Sequence, residues 1–421
     1  GPDGLDTSSF GSMADIEISG NDQGRPSGIS VSTGSIFIRG GRFVVDNSEL
    51  IADTPFSTDI QPTGVIDIQA ERVALKNGAL LSTDTFGRAN GADIRIEARE
   101  SVDASGAVIR VGSFGVQASG DAGELSVAAR DIDLGGGTLI QSESREQSTG
   151  NAGNVSLHAD NGVAIADAQI NTFTTGTGDA GNVAISGDEV HLDTGADIRA
   201  FTRGSGAAGK VSIAAGRLIH LAGDAAVRTE TEASGPGGLI ELAAEEVLLE
   251  AAAGVSSSSL ASNLSATHDS GAAGTIRVAA SGRVVVKDDA AIRTETLGGA
   301  PAGDIAVQAG QFEMDGGAAL SSDSTAESGG GDAGAISVVA DDTVQLTGGA
   351  ALTTEAVSGG GGRISVGAGT GVYLLDSRIS TSVKMGQGDG GDIRIGDVGS
   401  AGTPKYVVLN RSTVTANADE G

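Results

Sequence analysis

A short glycine-rich turn followed by two apolar residues, one position apart, recurs along this chain. It reads GDAGELSV at 120–127, GNAGNVSL at 150–157, GDAGNVAI at 178–185, GAAGKVSI at 206–213, GAAGTIRV at 271–278, GDAGAISV at 331–338 and GDGGDIRI at 388–395. Counted on its first apolar residue, the phrase falls at Ile66, Ile94, Leu125, Val155, Val183, Val211, Ile240, Ile276, Ile305, Ile336, Ile364 and Ile393, in steps of 28 to 36 residues. A fixed period in this range is the signature of a solenoid, in which each unit buries its apolar face only against its neighbours. A length of 421 residues would otherwise suggest two or three globular domains. The period argues instead for one elongated body and moves the question of function from a pocket to a surface.

Within each unit three short alternating runs appear, the pattern expected of strands. In one unit they centre on Ile276/Val278, Val284/Val286 and Ile292/Thr294/Thr296, and in another on Ile336/Val338, Val344/Leu346 and Leu352/Thr354. Three strands per 28–31 residues describe one coil of a parallel β-helix. A dozen coils spaced about 4.8 Å apart would make a rod on the order of 60 Å long. Val, Ile and Leu then stack in columns. A further inward column carries Thr83, Ser142, Thr172, Thr229, Ser257, Thr294, Ser322, Thr354 and Thr381, whose hydroxyls need partners, expected one rung away. The segment LIELAAEEVLLEAAAG at 239–254 consists of strong helix formers. The periodic frame nevertheless places Ile240/Leu242 and Val247/Leu249 on strands. Residues 1–27 read as a lead-in or partial rung and 28–421 as the repeats, with longer loops near 39–62 and 255–270. Insertions of that kind often mark a binding face.

Glycine accounts for 68 residues without a collagen period, and is expected at turns to supply positive φ. A net charge of −29 argues against a nucleic-acid partner, which needs a basic stripe. With no Cys there is no disulfide or thiolate site. No run approaches the roughly 20 apolar residues of a membrane-spanning helix. The chain begins Gly1-Pro2 rather than Met, and is read as a stretch of something longer.

The turn-strand phrase, the apolar pair about seven residues later, the G-A-x-I-x-T third strand and the run IFIRGGRFVVDNSELIADT at 36–54 resemble the filamentous haemagglutinin-like exoproteins of bacterial two-partner secretion. The resemblance covers about residues 28–418. It implies a right-handed parallel β-helix, export through a dedicated outer-membrane two-partner transporter, and a place outside a Gram-negative cell, secreted or on its surface. Roles in that family include adhesion, aggregation, filament or biofilm formation and toxin delivery. Its secretion-domain signature of the Asn-Pro-Asn-Gly type is not found in this sequence, and what is present reads as shaft.

Chemistry-bearing residues are sparse. Of the four histidines, His158, His191, His220 and His268, the frame puts His191 and His220 at one outward position on adjacent rungs. A metal site there would lack further ligands. The outward position of the third strand holds Asp84, Glu143, Glu230, Glu295, Asp323 and Glu355. The last three fall on successive rungs as a like-charge stripe, to be relieved by Arg228 and Arg293 or by cations. Glu295, Asp323 and Glu355 are therefore the candidates for cation contact, with adventitious calcium the ion considered, although a flat stripe lacks the convergent oxygens of a calcium loop. Asp121, Asp179, Asp332 and Asp389, with Asn151 equivalent, are expected to bond their own backbone in turns. Phe173 and Phe201 occupy one outward slot on adjacent rungs and are the candidate ligand contacts, since exposed stacked aromatics bind sugar rings. Neither catalytic residues nor a cofactor are assigned. A structural or adhesive shaft, assembling end to end or laterally, is the leading expectation. A module binding host or matrix glycans is the alternative, and a carbohydrate-active enzyme, which would need paired carboxylates in a groove, is the third.

Overall fold

The structure, a computed structural model, describes residues 13–20, 27–56, 64–114, 119–145, 148–260, 270–327, 329–385, 388–396, 398–399 and 403–418. Every strand pairing in it is parallel and links one repeat to the next. Val155 lies opposite Val183, and Val183 opposite Val211, so equal positions of the repeat do stack. The result is a parallel β-solenoid of about a dozen turns, with one 17-stranded and one 14-stranded sheet.

The first two runs of each unit join into one bent strand in most turns, as in Val155–Ile165 and Val211–Leu221, with a register shift at the bend. They separate in later turns, where Ile336–Ala340 precedes Thr343–Leu346. The third run forms the second sheet, for example Ala168–Thr174 and Ala226–Thr231. Alternation decides what is buried. In one turn Val155, Leu157, Val163, Ile165 and Ile170 are all at most 1% exposed. Each such side chain contributes roughly 1.5–3 kcal/mol of burial. The helix-prone segment follows its neighbours: Ile240–Leu249 is a strand, with Ile240, Leu242, Val247 and Leu249 buried. Its backbone groups complete two ladders at once, which outweighs an intrinsic preference of a few tenths of a kcal/mol per residue.

One expectation about the frame needs correction. Residues 39–53 are not an excursion. Ile36–Asp46 and Ser48–Asp53 form a regular turn with Phe43, Val45 and Leu50 buried, pairing with Val65–Lys76 and Leu80–Thr85. The apparent insertion arose because that turn opens on Ile36 without the glycine phrase; 57–63 lie outside the described residues. Ahead of it, Ile16–Ser19 and Ser27–Ser32 pair with the second and third runs of that turn, as a partial rung does. Val255–Ser259, the start of the other expected loop, is likewise a strand, and 261–269, with His268, lie outside the described residues.

The glycines of the phrase also serve a different purpose from the one expected. Positive φ is concentrated at the other corner, between the second and third runs, at residues such as Gly195 (78°), Gly223 (63°) and Asp288 (55°). The phrase glycines stack backbone on backbone. A Cβ on Gly181 would collide with the carbonyl of Gly153, and one on Gly209 with that of Gly181. Only glycine lets successive turns approach to the spacing the strands impose.

Candidate functional site

The inward hydroxyls find their partners mainly on the phrase that opens the next turn. Thr83, Thr172, Thr294 and Thr381 each donate to the carbonyl nine residues ahead, at Ala92, Gly181, Gly303 and Gly390, at 2.6 Å in every case. The third strand is thereby clasped to the following glycine phrase. The rung-to-rung bond expected along this column is seen between Thr229 and Ser257, at 2.8 Å. The hydroxyls of Ser142, Ser324 and Thr354 are buried without a hydrogen-bond partner among the described residues.

The turn carboxylates and amides act between rungs rather than on their own backbone. Asn90 accepts from the N–H of Asp121, Asp121 from Asn151, Asn151 from Asp179 and Asp179 from Ala207, at 2.7–3.1 Å. A backbone ladder runs beside this chain of caps, including Ala122 to Asn151 and Ala152 to Asp179. These groups are thus consumed in stacking the turns. Sequence could not distinguish the two uses, because an Asx turn and an inter-rung cap need the same residue at the same place.

The outward column of the third strand is continuous. Asp84, Gly112, Glu143, Phe173, Phe201, Glu230, Ser258, Glu295, Asp323, Glu355 and Ser382 face one another in register. It is not a uniformly hydrated face. Asp84, Glu143 and Glu230 are buried, and each is held by arginine. Arg110 reaches Asp84 at 2.6 Å, Arg145 reaches Glu143 at 2.7 Å, and Arg199 pairs with Glu230. Arg228, expected to relieve this column, instead lies 3.6 Å from Asp197. Phe173 and Phe201 stack with centroids 4.8 Å apart and planes 7° from parallel. Phe201 is only 7% exposed, with Arg199 at 4.2 Å from its ring centroid and Arg203 at 5.5 Å. The pair stands between Glu143 and Glu230 on neighbouring rungs, with Phe201 buried under guanidinium groups and Phe173 half-buried beside it.

Glu295, Asp323 and Glu355 do occupy three successive rungs. Lys384 pairs with Glu355. Burial, with Glu355 and Glu295 adding repulsion, pushes the Asp323 carboxyl up to about 6. Among the described residues, no group of three or more His, Asp or Glu is arranged to hold a metal ion. His191 and His220 are adjacent, their rings 5.7 Å apart and edge to face. Each Nε2 lies 2.9 Å from a carboxylate, that of Glu189 and of Glu250 respectively. Lys287, then His220, holds the Glu250 carboxyl below its usual range. Among the described residues no helix is long and apolar enough to cross a membrane.

The outer surface carries a shallow groove of about 390 Å³ at the bend between the first and second runs, lined by Ala243, Ala244, Ala279, Ala280, Ser281, Gln308, Ala309 and Asp341. The sequence reading missed it, because alanines at a bend look like filler until four turns are superposed. No protein-family model matches this sequence, and no curated protein or solved structure matches it significantly.

Proposed function

We propose that this chain is the repetitive shaft of an exported bacterial surface protein of the haemagglutinin-like type, spanning distance and carrying adhesive or self-associating surfaces. One observation supports it above the others: the register runs from turn to turn over an aliphatic core, and conspicuous polar groups are spent on stacking. Buried carboxylates meet arginines, inward hydroxyls meet turn carbonyls, and turn amides cap the next rung. A body of this kind resists bending because deforming it breaks two sheets together. Self-association, end to end or laterally, belongs to the proposal. So do passage through an outer-membrane two-partner transporter and an extracellular location.

The test is direct. Expressed in a Gram-negative host with such a transporter fused to its secretion domain, the chain should reach the cell surface, become protease-accessible there, and appear by electron microscopy as unbranched rods. Retention inside the cell, or turnover of a polysaccharide by the purified chain, would remove the shaft reading. Saturable binding on a glycan array would favour the binding-module alternative.

A further inference from the structure

The alanine groove has a continuation that the chain itself fills. Its outward column runs Ala243, Ala279, Gln308, Val339, Gly367 in register, beside a second column of Ala244, Ala280, Ala309, Ala340 and Ala368. On the first three rungs the outward residues are exposed, whereas Val339 is 9% exposed and Gly367 is buried. The change has a visible cause. After Ile393–Ile395 the chain donates once more, from Gly396 N–H to the Val366 carbonyl, and then leaves the ladder at a φ of 134°. Val398 then lies over Gly367, where an added Cβ would meet its carbonyl oxygen and Cβ, and Gly399 lies against the Val339 side chain. A valine beside a glycine is thus seated on two rungs of the same columns that stay open on the three rungs before.

We infer that the open part of the groove is a docking site for an extended peptide segment of another protein, one with a β-branched aliphatic residue between small residues and basic residues at its flanks. The floor is mostly alanine, with Ser281 and Gln308 beside it. Along the chain, the floor is bounded by longer side chains locked in ion pairs, Arg277 with Glu241 at 3.3 Å and Arg283 with Glu246 at 2.6 Å. Three open rungs span on the order of 10 Å, the length of about three extended residues. Among the described residues no cationic side chain lines the groove, Asp341 stands in its lining, and the chain carries a net charge of −29, so a basic flank is favoured over an acidic one. The strands beneath already spend their N–H and C=O groups on the rungs, so recognition comes from side-chain packing and charge rather than strand addition. The inference is independent of the shaft reading.

Fluorescence anisotropy of a labelled Lys-Gly-Val-Gly-Ala-Lys peptide, titrated with the whole chain, tests it. Saturable binding is expected. Ala279→Arg, which fills the groove from an exposed position, should weaken it at least tenfold, and so should Val→Ser in the peptide. Ala243→Lys serves as a second variant should Ala279→Arg lower the melting temperature, and Ser212→Lys, elsewhere on the same sheet face, should weaken it less than twofold. Absence of binding at millimolar protein, or equal affinity in the groove variants, overturns the inference. Concentration-dependent dimerisation abolished by Ala279→Arg would also overturn it, naming a second copy as the occupant.

Discussion

The Thr172 hydroxyl donates to the carbonyl of Gly181 at 2.6 Å, tying the third strand of one turn to the glycine phrase that opens the next. Both groups are out of water, so the bond cannot be exchanged for one to solvent. Thr172→Val keeps the shape and leaves that carbonyl short of a donor, at a cost of about 1–3 kcal/mol. Thr354 sits in the same inward column, but its hydroxyl has no hydrogen-bond partner among the described residues. Thr354→Val should be neutral or stabilising. Native-state hydrogen exchange, read at the turns on either side, separates the two, and equal losses would contradict the clasp.

Gly181 and Gly254 make a second contrast. A Cβ on Gly181 collides with the Gly153 carbonyl, a backbone atom that cannot move without parting the turns. Gly181→Ala should destabilise by several kcal/mol, as overpacking in a rigid interior does. Among the described residues nothing lies within 4 Å of the Cβ position of Gly254, and its neighbours in register are Ala226 and Ala291. Gly254→Ala should stabilise by roughly 0.4–1 kcal/mol through the unfolded chain. Thermal melts of the two variants give the answer.

Glu143 is fully buried and its charge is met by Arg145 at 2.7 Å, with the same guanidinium 4.8 Å from the centre of the Phe114 ring. Arg145→Met leaves an uncompensated buried carboxylate and should cost about 3 kcal/mol, less whatever water reaches the half-exposed arginine site. Adding Glu143→Gln should recover most of that loss. Urea denaturation of the single and double variants measures the coupling, and independent effects would refute it.

Asp323 sets a pH dependence. Its carboxyl is raised from 3.8 to about 6 in the folded chain, chiefly by burial. Between those values the folded state holds a proton that the unfolded state has released. The stability from this group is therefore full below about 4, falls as pH rises, and is gone above about 6. Asp53, raised by the same cause, acts in the same direction. Lowering the pH from 7 to 5 should raise the melting temperature, and Asp323→Asn should raise it at pH 7 and flatten this part of the profile. A profile unchanged by the substitution would exclude Asp323 as its source.

Asp179 accepts from the Ala207 N–H at 2.7 Å, one turn further on. Asp179→Ala should speed exchange of that amide by about fivefold, about 1 kcal/mol, while amides two turns away stay unchanged. Uniform protection throughout would show that the cap contributes nothing.

The period of the glycine phrase and the alternation of Val, Ile and Leu were enough to place Val155, Val183 and Val211 above one another and to overrule the helical propensity of 239–254. Those features are local and repeated, so a single strand of letters carries them. The uses of the glycines, the turn Asp and Asn residues, the inward hydroxyls and the acidic column were decided only when turns came into contact. Gly181 is required by a carbonyl 28 residues earlier, Asp179 serves an amide 28 residues later, and Glu230 takes its arginine from position 199. Each of these is a contact across a rung, and the same residue types would satisfy a purely local turn equally well. The alanine groove is likewise a property of superposed rungs: no single bend forms it, and Val398 shows its capacity only by lying over Gly367.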